Sequence, residues 1–375
     1  EAEIDMASLD PRRFGNWITT DYTARKNEES YEHVFILHHP DEEREACRPL
    51  KTAPSYERQK TRGAQFGQVN GWERPNYFAT IGFDDLSSRS FRRGAWWDFV
   101  KEEAIAVRKT AGLIDATAFT KHVIKGPGAT AFLDWFTCNK LPKVGRINLT
   151  YALTEKGTTR TEYTIVRVKH DEYYLVSAGA WQAYDADFLI KAIQDKEMEF
   201  GRIELQDVTS QFGVFAIAGP NSRAILSDLV RHPEPETVFS NKNFPWLSAK
   251  SIELGMCPVN AIRVAYTGEL GWELHHPIEM QNYLFDQLEN SGQKHGMKLV
   301  GARAQNWLRQ EKSYRAFGTE LGRDATPLEA GLDRFVDLSK DFFGKDQMIK
   351  HGIKSKCVTL LIDGPKDADP WGREA

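Results

Sequence analysis

The sequence has few cysteines and none of the spacings that hold metals or form redox pairs. Cys47, Cys138, Cys257 and Cys357 are the only four in 375 residues, and no CxxC pair occurs. Neighbours roughly a hundred residues apart exclude a disulfide framework or a zinc ribbon and suit thiols kept reduced, in the cytoplasm or the mitochondrial matrix. The longest apolar runs, such as WWDFV and GVFAIAG, fall far short of the roughly 20 residues of a membrane span. A net charge of −4 supplies no field for nucleic acid or an anionic membrane, so neither is expected as a partner. There is no GxGxxG after a strand, no GxxxxGK[ST], no GxSxG and no HExxH. The glycine-rich GPGATA lacks a P-loop lysine and reads as a turn. His38–His39 and His275–His276 are adjacent pairs, which on a strand point to opposite faces. No carboxylate cluster backs them, so no metal site is expected. The chemistry must rest on carboxylates, tyrosines and arginines in a cleft.

An apolar content of 41% with 27% charged residues describes a globular protein, long enough for two or three units of ordinary domain size. Residues 1–90 are rich in Arg, Glu, Pro and aromatics, show little sustained periodicity, and read as an extended leader wrapping a ligand or a domain. Trp97, Val100, Ala104 and Val107 follow helical spacing, with Gly112 as a stop. An internal echo follows. HVIKGPGATAFLDWF at 122–136 and FAIAGPNSRAILSDL at 215–229 align Gly126 with Gly219, Pro127 with Pro220, Ala131 with Ala224 and Leu133 with Leu226. Each copy reads as strand, Gly-Pro turn and helix, which implies two related α+β lobes with a cleft between them. YTIVRV and EYYLVSAG read as adjacent strands, and helices are expected over 183–198, 279–290 and 301–313. In TPLEAGL, Thr326 suits an N-cap, Pro327 the first helical position and Glu329 a capping box. The chain opens EAEIDMASLDPRRFG and stops at DADPWGREA, just after the strand-like CVTLLIDG, and reads as a fragment of a longer polypeptide or one lacking its tail.

The segment YTGELGWELHHP, residues 266–277, is the most pointed question in the chain. It predicts a hairpin with 262–266 paired to 272–276 around TGELG. Glu269 and Glu273 stand there among Tyr266, Leu270, Trp272 and Leu274. Carboxylates in apolar company cost free energy unless something hydrogen-bonds to them. Either both face water, or a donor-rich ligand meets one of them.

Several stretches carry a family resemblance, in order along the chain. DATAFTKHVIKGPGATAFLDWF, LTEKGTTRTEYTIVRV, VTSQFGVFAIAGPNSRAIL, AYTGELGWELH, TPLEAGL and FFGKDQM resemble the folate-binding aminomethyltransferases, whose type member is the T-protein of the glycine cleavage system. The leader, with DPRRFG, ESYEHVF and RPLKTAPSYERQKTRGAQFGQVNGWERPNYF, resembles the junction between the flavin and folate halves of dimethylglycine and sarcosine dehydrogenases. The resemblance implies an α+β T-protein-like fold of two lobes around a central cleft. It divides the chain into a junction-like leader (1–90), the folate-binding lobes (91–340) and the start of a C-terminal β-barrel (341–375), apparently truncated. It also implies tetrahydrofolate as cofactor, capturing the one-carbon unit of an oxidised N-methyl amine, as iminium or formaldehyde, to give 5,10-methylenetetrahydrofolate. FAD is implied only if a flavin dehydrogenase domain exists outside this chain.

By the same resemblance the pterin-gripping glutamate falls on Glu273 and the tyrosine beside the folate on Tyr266. A carboxylate suits the pterin because N3–H and the 2-amino group present two parallel donors. The catalytic carboxylate, an aspartate in the T-protein, falls on Glu162. Deprotonation of the attacking amine makes it a general base. An arginine that meets the folate glutamate tail in the T-protein falls on Gln305, and a pterin-pocket asparagine finds no match near Ser177-Ala178-Gly179. Glu269 is expected to belong to the turn, Trp272 to the core, and Arg309 to a structural pair with Glu311 or Glu320. Two other functions are compatible with such a fold: a folate-binding regulatory module without transfer activity, and a folate-dependent demethylase of another methyl donor.

Overall fold

The structure is a computed structural model that describes residues 9–11, 14–39, 42–84, 90–361, 363–365 and 367. The ends of the leader and of the expected barrel segment, residues 1–8 and 368–375, lie outside the described residues.

In chain order the elements are α1 (Thr20–Glu32), α2 (Tyr56–Lys60), β1 (Ala64–Val69), β2 (Trp72–Phe78), α3 (Trp97–Lys109), β3 (Ala111–Asp115), β4 (Thr120–Lys125), α4 (Ala129–Phe136), β5 (Ile147–Leu153), β6 (Thr159–Lys169), β7 (Glu172–Ser177), α5 (Gln182–Phe200) and β8 (Glu204–Asp207). The second half holds β9 (Phe212–Ala218), α6 (Ser222–Leu229), α7 (Pro235–Val238), β10 (Ala249–Leu254), β11 (Cys257–Ile262), β12 (Gly271–Pro277), α8 (Gln281–Lys294), β13 (Met297–Val300), α9 (Ala302–Glu311) and α10 (Lys345–His351). The class is α+β, as the sequence predicts.

The internal echo is a repeat of topology. One sheet runs β5-β6-β7-β4-β8 and the other β10-β11-β12-β9-β3-β13. The order β5-β6-β7-β4 thus recurs as β10-β11-β12-β9, with β3 inserted beside β9. The shared Gly-Pro turn has a steric cause. Gly126 and Gly219 have φ of +120° and +127°, and a Cβ at either would lie 2.7 Å from the Arg202 carbonyl or 2.6 Å from those of Thr110 and Val107. Only glycine lets strand and following helix close against that backbone.

Each sheet buries one face under its own helices. Tyr163, Ile165, Tyr173 and Leu175 pack with Phe132 and Leu133 of α4 and Leu189 of α5. Phe215, Ile217, Trp272 and Leu274 pack with Leu226 of α6 and Leu284, Phe285 and Leu288 of α8. Since strand side chains alternate, the other faces turn toward each other, and Val166 and Ile262 meet in a small inter-sheet cluster.

Three expectations need correction. Gly112 is not a helix stop: α3 ends at Lys109 and Gly112 lies inside β3, where its missing Cβ makes room for Val107 and Val300. The leader does not simply run extended; α1 and α2 form, and β1 and β2 make a hairpin around Asn70-Gly71, both at positive φ. That pair is the favoured two-residue hairpin turn. Tyr77 and Ala79 then enter a core shared with Val100, Val107 and Leu308. Finally, the strand expected in CVTLLIDG is absent among the described residues: 352–361 form neither helix nor strand, and Leu360 and Leu361 are exposed. A strand needs a ladder partner for its backbone groups, and among the described residues no strand borders this segment.

Candidate functional site

Glu162 projects from the inner face of β6, on the side opposite Tyr163 and Ile165. Its partner across the β5–β6 ladder is Tyr151, which is fully buried. Burial raises the Glu162 carboxyl to about 7, with the Tyr151 hydroxyl pulling the other way. That hydroxyl is buried and, among the described residues, has no hydrogen-bond partner besides this contact with Glu162. Tyr266 lies close enough for its hydroxyl to feel the Glu162 charge: burial first, with Glu162 and Glu320, raises it, and Arg309 opposes them. The Tyr266 hydroxyl donates to the Arg315 carbonyl at 2.7 Å, and its ring lies nearly parallel to Tyr314, centroids 6.3 Å apart. Thr267, the next residue, is buried with its hydroxyl unpartnered. A carboxylate shielded from water, the buried Tyr151 hydroxyl beside it and a flat aromatic wall fit a polar, ring-bearing ligand such as a pterin.

Glu273 stands on the inner face of β12, opposite the Trp272 and Leu274 face. Its Oε2 meets His275 Nε2 at 3.3 Å, and His275 Nδ1 meets the Tyr174 hydroxyl of β7 at 3.0 Å. Glu162 and Tyr266 therefore lie within electrostatic reach of each other, whereas Glu273 is held by a contact that crosses between the sheets. The adjacent histidines part as the pleat requires. His276 turns to the helix-covered side, stacked on Phe215, and burial lowers it to about 4.

The remaining expectations resolve by geometry. Glu269 sits in the turn, 3.5 Å from Lys312, with Gly268 at φ +72°. Trp272 is fully buried between Phe239 and Phe244, as a core anchor. Arg309 pairs with Glu320 at 2.7 Å rather than with Glu311, which pairs with Arg108. Gln305 is half-buried on α9. Ser177 is committed to the scaffold, donating to Asp185 at 3.2 Å alongside Thr161 at 3.0 Å. Asp185 was not singled out by sequence; burial raises it to about 6 against Arg160, Thr161 and Ser177.

Sequence reasoning also missed Tyr151, Tyr174 and the role of His275. Tyr151 had a usable signal: reading TYALTEKGTTRTEY as a hairpin sets it opposite Glu162. The predicted 262–266/272–276 pairing is shifted. The ladder joins Asn260, Ala261 and Ile262 to His275, Leu274 and Glu273, leaving 263–270 as a longer loop. Among the described residues no group of three or more His, Cys, Asp or Glu could hold a metal, and no helix is long and apolar enough to cross a membrane. A cavity of about 540 Å³ opens at the sheet edge with His275, Phe212 and Asn260 in its wall, away from Glu162 and Tyr266.

Residues 55–340 match the family described as the GCVT N-terminal domain, and residues 1–53 match the FAD dependent oxidoreductase central domain. Over its whole length the chain is 37% identical to the mitochondrial dimethylglycine dehydrogenase of Mus musculus, of which it covers 43%. Over 90% of its length it is 30% identical to the mitochondrial pyruvate dehydrogenase phosphatase regulatory subunit of Mus musculus, covering 39% of that protein. The chain thus spans less than half the length of these curated relatives. Among solved structures it is similar to the glycine cleavage system aminomethyltransferase T from Bartonella henselae, with a TM-score of 0.65 and 23% identity, covering 82% of this chain and 76% of that one.

Proposed function

Because the chain belongs to the GCVT N-terminal domain family, we propose that it performs tetrahydrofolate-dependent one-carbon transfer. The unit transferred comes from an oxidised N-methyl amine of the dimethylglycine or sarcosine type, as iminium or formaldehyde. Tetrahydrofolate supplies the nucleophilic amines that take up the carbon as 5,10-methylenetetrahydrofolate. Glu162 receives the proton that leaves the attacking amine, and a carboxyl poised at about 7 matches that task at neutral pH. Glu273 accepts from the two parallel donors of the pterin edge, and Tyr266 forms the wall beside the ring. The observation that carries this reading is the Glu162 carboxyl, raised to about 7 beside the buried Tyr151 hydroxyl and within electrostatic reach of Tyr266.

The match of residues 1–53 to a FAD dependent oxidoreductase central domain supports a flavin half as the source of the oxidised amine. In this reading 1–90 form the junction with that half, 91–340 the folate-binding lobes and 341–375 the start of a barrel domain. The relatives described as mitochondrial favour the mitochondrial matrix. The similarity to a phosphatase regulatory subunit supports a second reading, a binding module without transfer activity. One experiment separates them: formation of 5,10-methylenetetrahydrofolate from tetrahydrofolate and formaldehyde, with wild type and Glu162→Gln. The transfer reading expects acceleration by wild type and a loss of about 10²–10⁴ in the variant. Equal rates for the two proteins overturn the general-base role, and no acceleration by wild type favours the module.

A further inference from the structure

His275 has no assigned part in the site, yet it joins the two lobes at the residue proposed to grip the pterin. It is 1% exposed, on the inner face of β12 two residues beyond Glu273. Nδ1 lies 3.0 Å from the Tyr174 hydroxyl of the other sheet, and Nε2 lies 3.3 Å from Glu273 Oε2. The Tyr174 and His275 rings meet edge to face, centroids 5.3 Å apart at 90°, with Phe212 packed on Tyr174.

The partners determine the tautomer. A carboxylate only accepts, so Nε2 carries the proton and donates to Glu273. Nδ1 is then the acceptor, and the Tyr174 hydroxyl donates to it. Three side chains thus form one directed chain, O–H to Nδ1 and Nε2–H to Oε2, in which every ring nitrogen is used. The imidazole is held neutral by its burial and by the nearby Lys121 ammonium, against the pull of Glu273. Lys121 is itself fixed through donation to the carbonyls of Thr117 and Phe212. With both nitrogens occupied, His275 has none left for a ligand and can act on one only through Glu273.

We propose that His275 is a positioning residue for Glu273. Anchored by Tyr174 in the opposite lobe, it holds the carboxylate in the rotamer that meets a pterin's paired donors, and so makes pterin affinity depend on the registry of the two sheets. The proposal rests on the pterin role of Glu273. A carboxylate oxygen has lone pairs enough to accept from the imidazole and from the ligand at once, so the chain orients Glu273 without blocking it.

The test is calorimetric titration of the full chain with 5-formyltetrahydrofolate, a stable reduced folate, together with steady-state kinetics. Glu273→Gln, His275→Leu, His275→Gln, Tyr174→Phe and the double variant Glu273→Gln/His275→Leu are compared with wild type. His275→Leu is expected to weaken binding about tenfold, the scale of losing a hydrogen bond to a charged group. Its KM for tetrahydrofolate rises while kcat holds. Gln places an amide nitrogen where Nε2 stood, so His275→Gln restores affinity to within about threefold. The double variant binds no worse than Glu273→Gln alone, because His275 acts only through that carboxylate. Tyr174→Phe, which leaves the imidazole in place, weakens binding less than His275→Leu and keeps the proposal testable if the leucine variant does not fold. Additive losses in the double variant, or wild-type affinity in both His275→Leu and Tyr174→Phe, overturn the positioning role while the pterin reading stands. Wild-type affinity in Glu273→Gln overturns the pterin reading and this proposal with it.

Discussion

Glu162 is asked to be charged in a place that disfavours charge. Burial raises its carboxyl from 4.5 to about 7, so the folded state holds the proton more tightly than the unfolded chain. Ionisation therefore costs stability, a cost absent below pH 4.5 and complete above about pH 7. Glu162→Gln is accordingly expected to be more stable than wild type above pH 7, by up to about 3 kcal/mol, since each tenfold change in proton affinity is worth about 1.4 kcal/mol. That advantage disappears in acid, while transfer is lost. Thermal unfolding of the two proteins at pH 8 and pH 4.5 checks this, and equal differences at both pH values contradict it. For the same reason wild-type turnover should rise with pH through about 7 as the base loses its proton, which a pH–rate profile measures. The sequence motifs singled out Glu162 as a candidate. What could not be read was the carboxyl's poise, because it comes from packing between sheets that are far apart in the chain. The Tyr174–His275 contact was hidden for the same reason, since its partners lie 101 positions apart.

Elements whose form depends on local backbone chemistry were read well. The Gly-Pro repeat is one case: positive φ and contact with carbonyls exclude any Cβ at Gly126 and Gly219. Substitution of either by alanine should destabilise the fold by about 2 kcal/mol or more, measured by urea unfolding, with comparable losses in the two lobes. The TPLEAGL capping box also forms. Thr326 N–H donates to Glu329 at 2.9 Å and Glu329 N–H to the Thr326 hydroxyl at 3.1 Å, although a single turn rather than a helix follows, closed by Gly331 at φ +72°. Glu329 also accepts from the Lys354 N–H. Burial alone would raise this carboxyl, but the backbone donors of Thr326 and Lys354, the Thr326 hydroxyl and His351 bring it down to about 2. Its contribution is therefore full above pH 4.5 and lost as pH falls toward 2. Glu329→Gln should flatten the acid limb of the urea midpoint against pH, and an unchanged limb counts against the clamp.

The shifted β11–β12 pairing shows where local reading fails. β12 is aligned along its whole length by β9, and Val264 to Tyr266 leave the ladder so that Tyr266 can reach the Arg315 carbonyl. Both constraints come from distant parts of the chain. The leader's Asn-Gly turn, by contrast, was a local signal passed over because the surrounding residues lack periodicity. The 352–361 segment is the reverse case, strand-like in composition but with no strand beside it among the described residues.

At the scale of the whole molecule, the repeat turns two helix-backed sheets face to face and sets Glu162 on one and Glu273 on the other. The leader is tied to this arrangement by a buried network. Ser55 and Gln59 donate to Asp115, and Gln281 of α8 joins them at 3.3 Å. On the proposed roles, a ligand gripped by Glu273 and deprotonated by Glu162 lies between the lobes. The most direct test is a calorimetric titration of wild type and Glu273→Gln with 5-formyltetrahydrofolate at neutral pH. One-to-one binding by wild type, weakened in the variant by roughly 1.5–3 kcal/mol, the worth of a hydrogen bond to a charged group, is the expected result. Equal affinity in the two proteins would contradict the central claim.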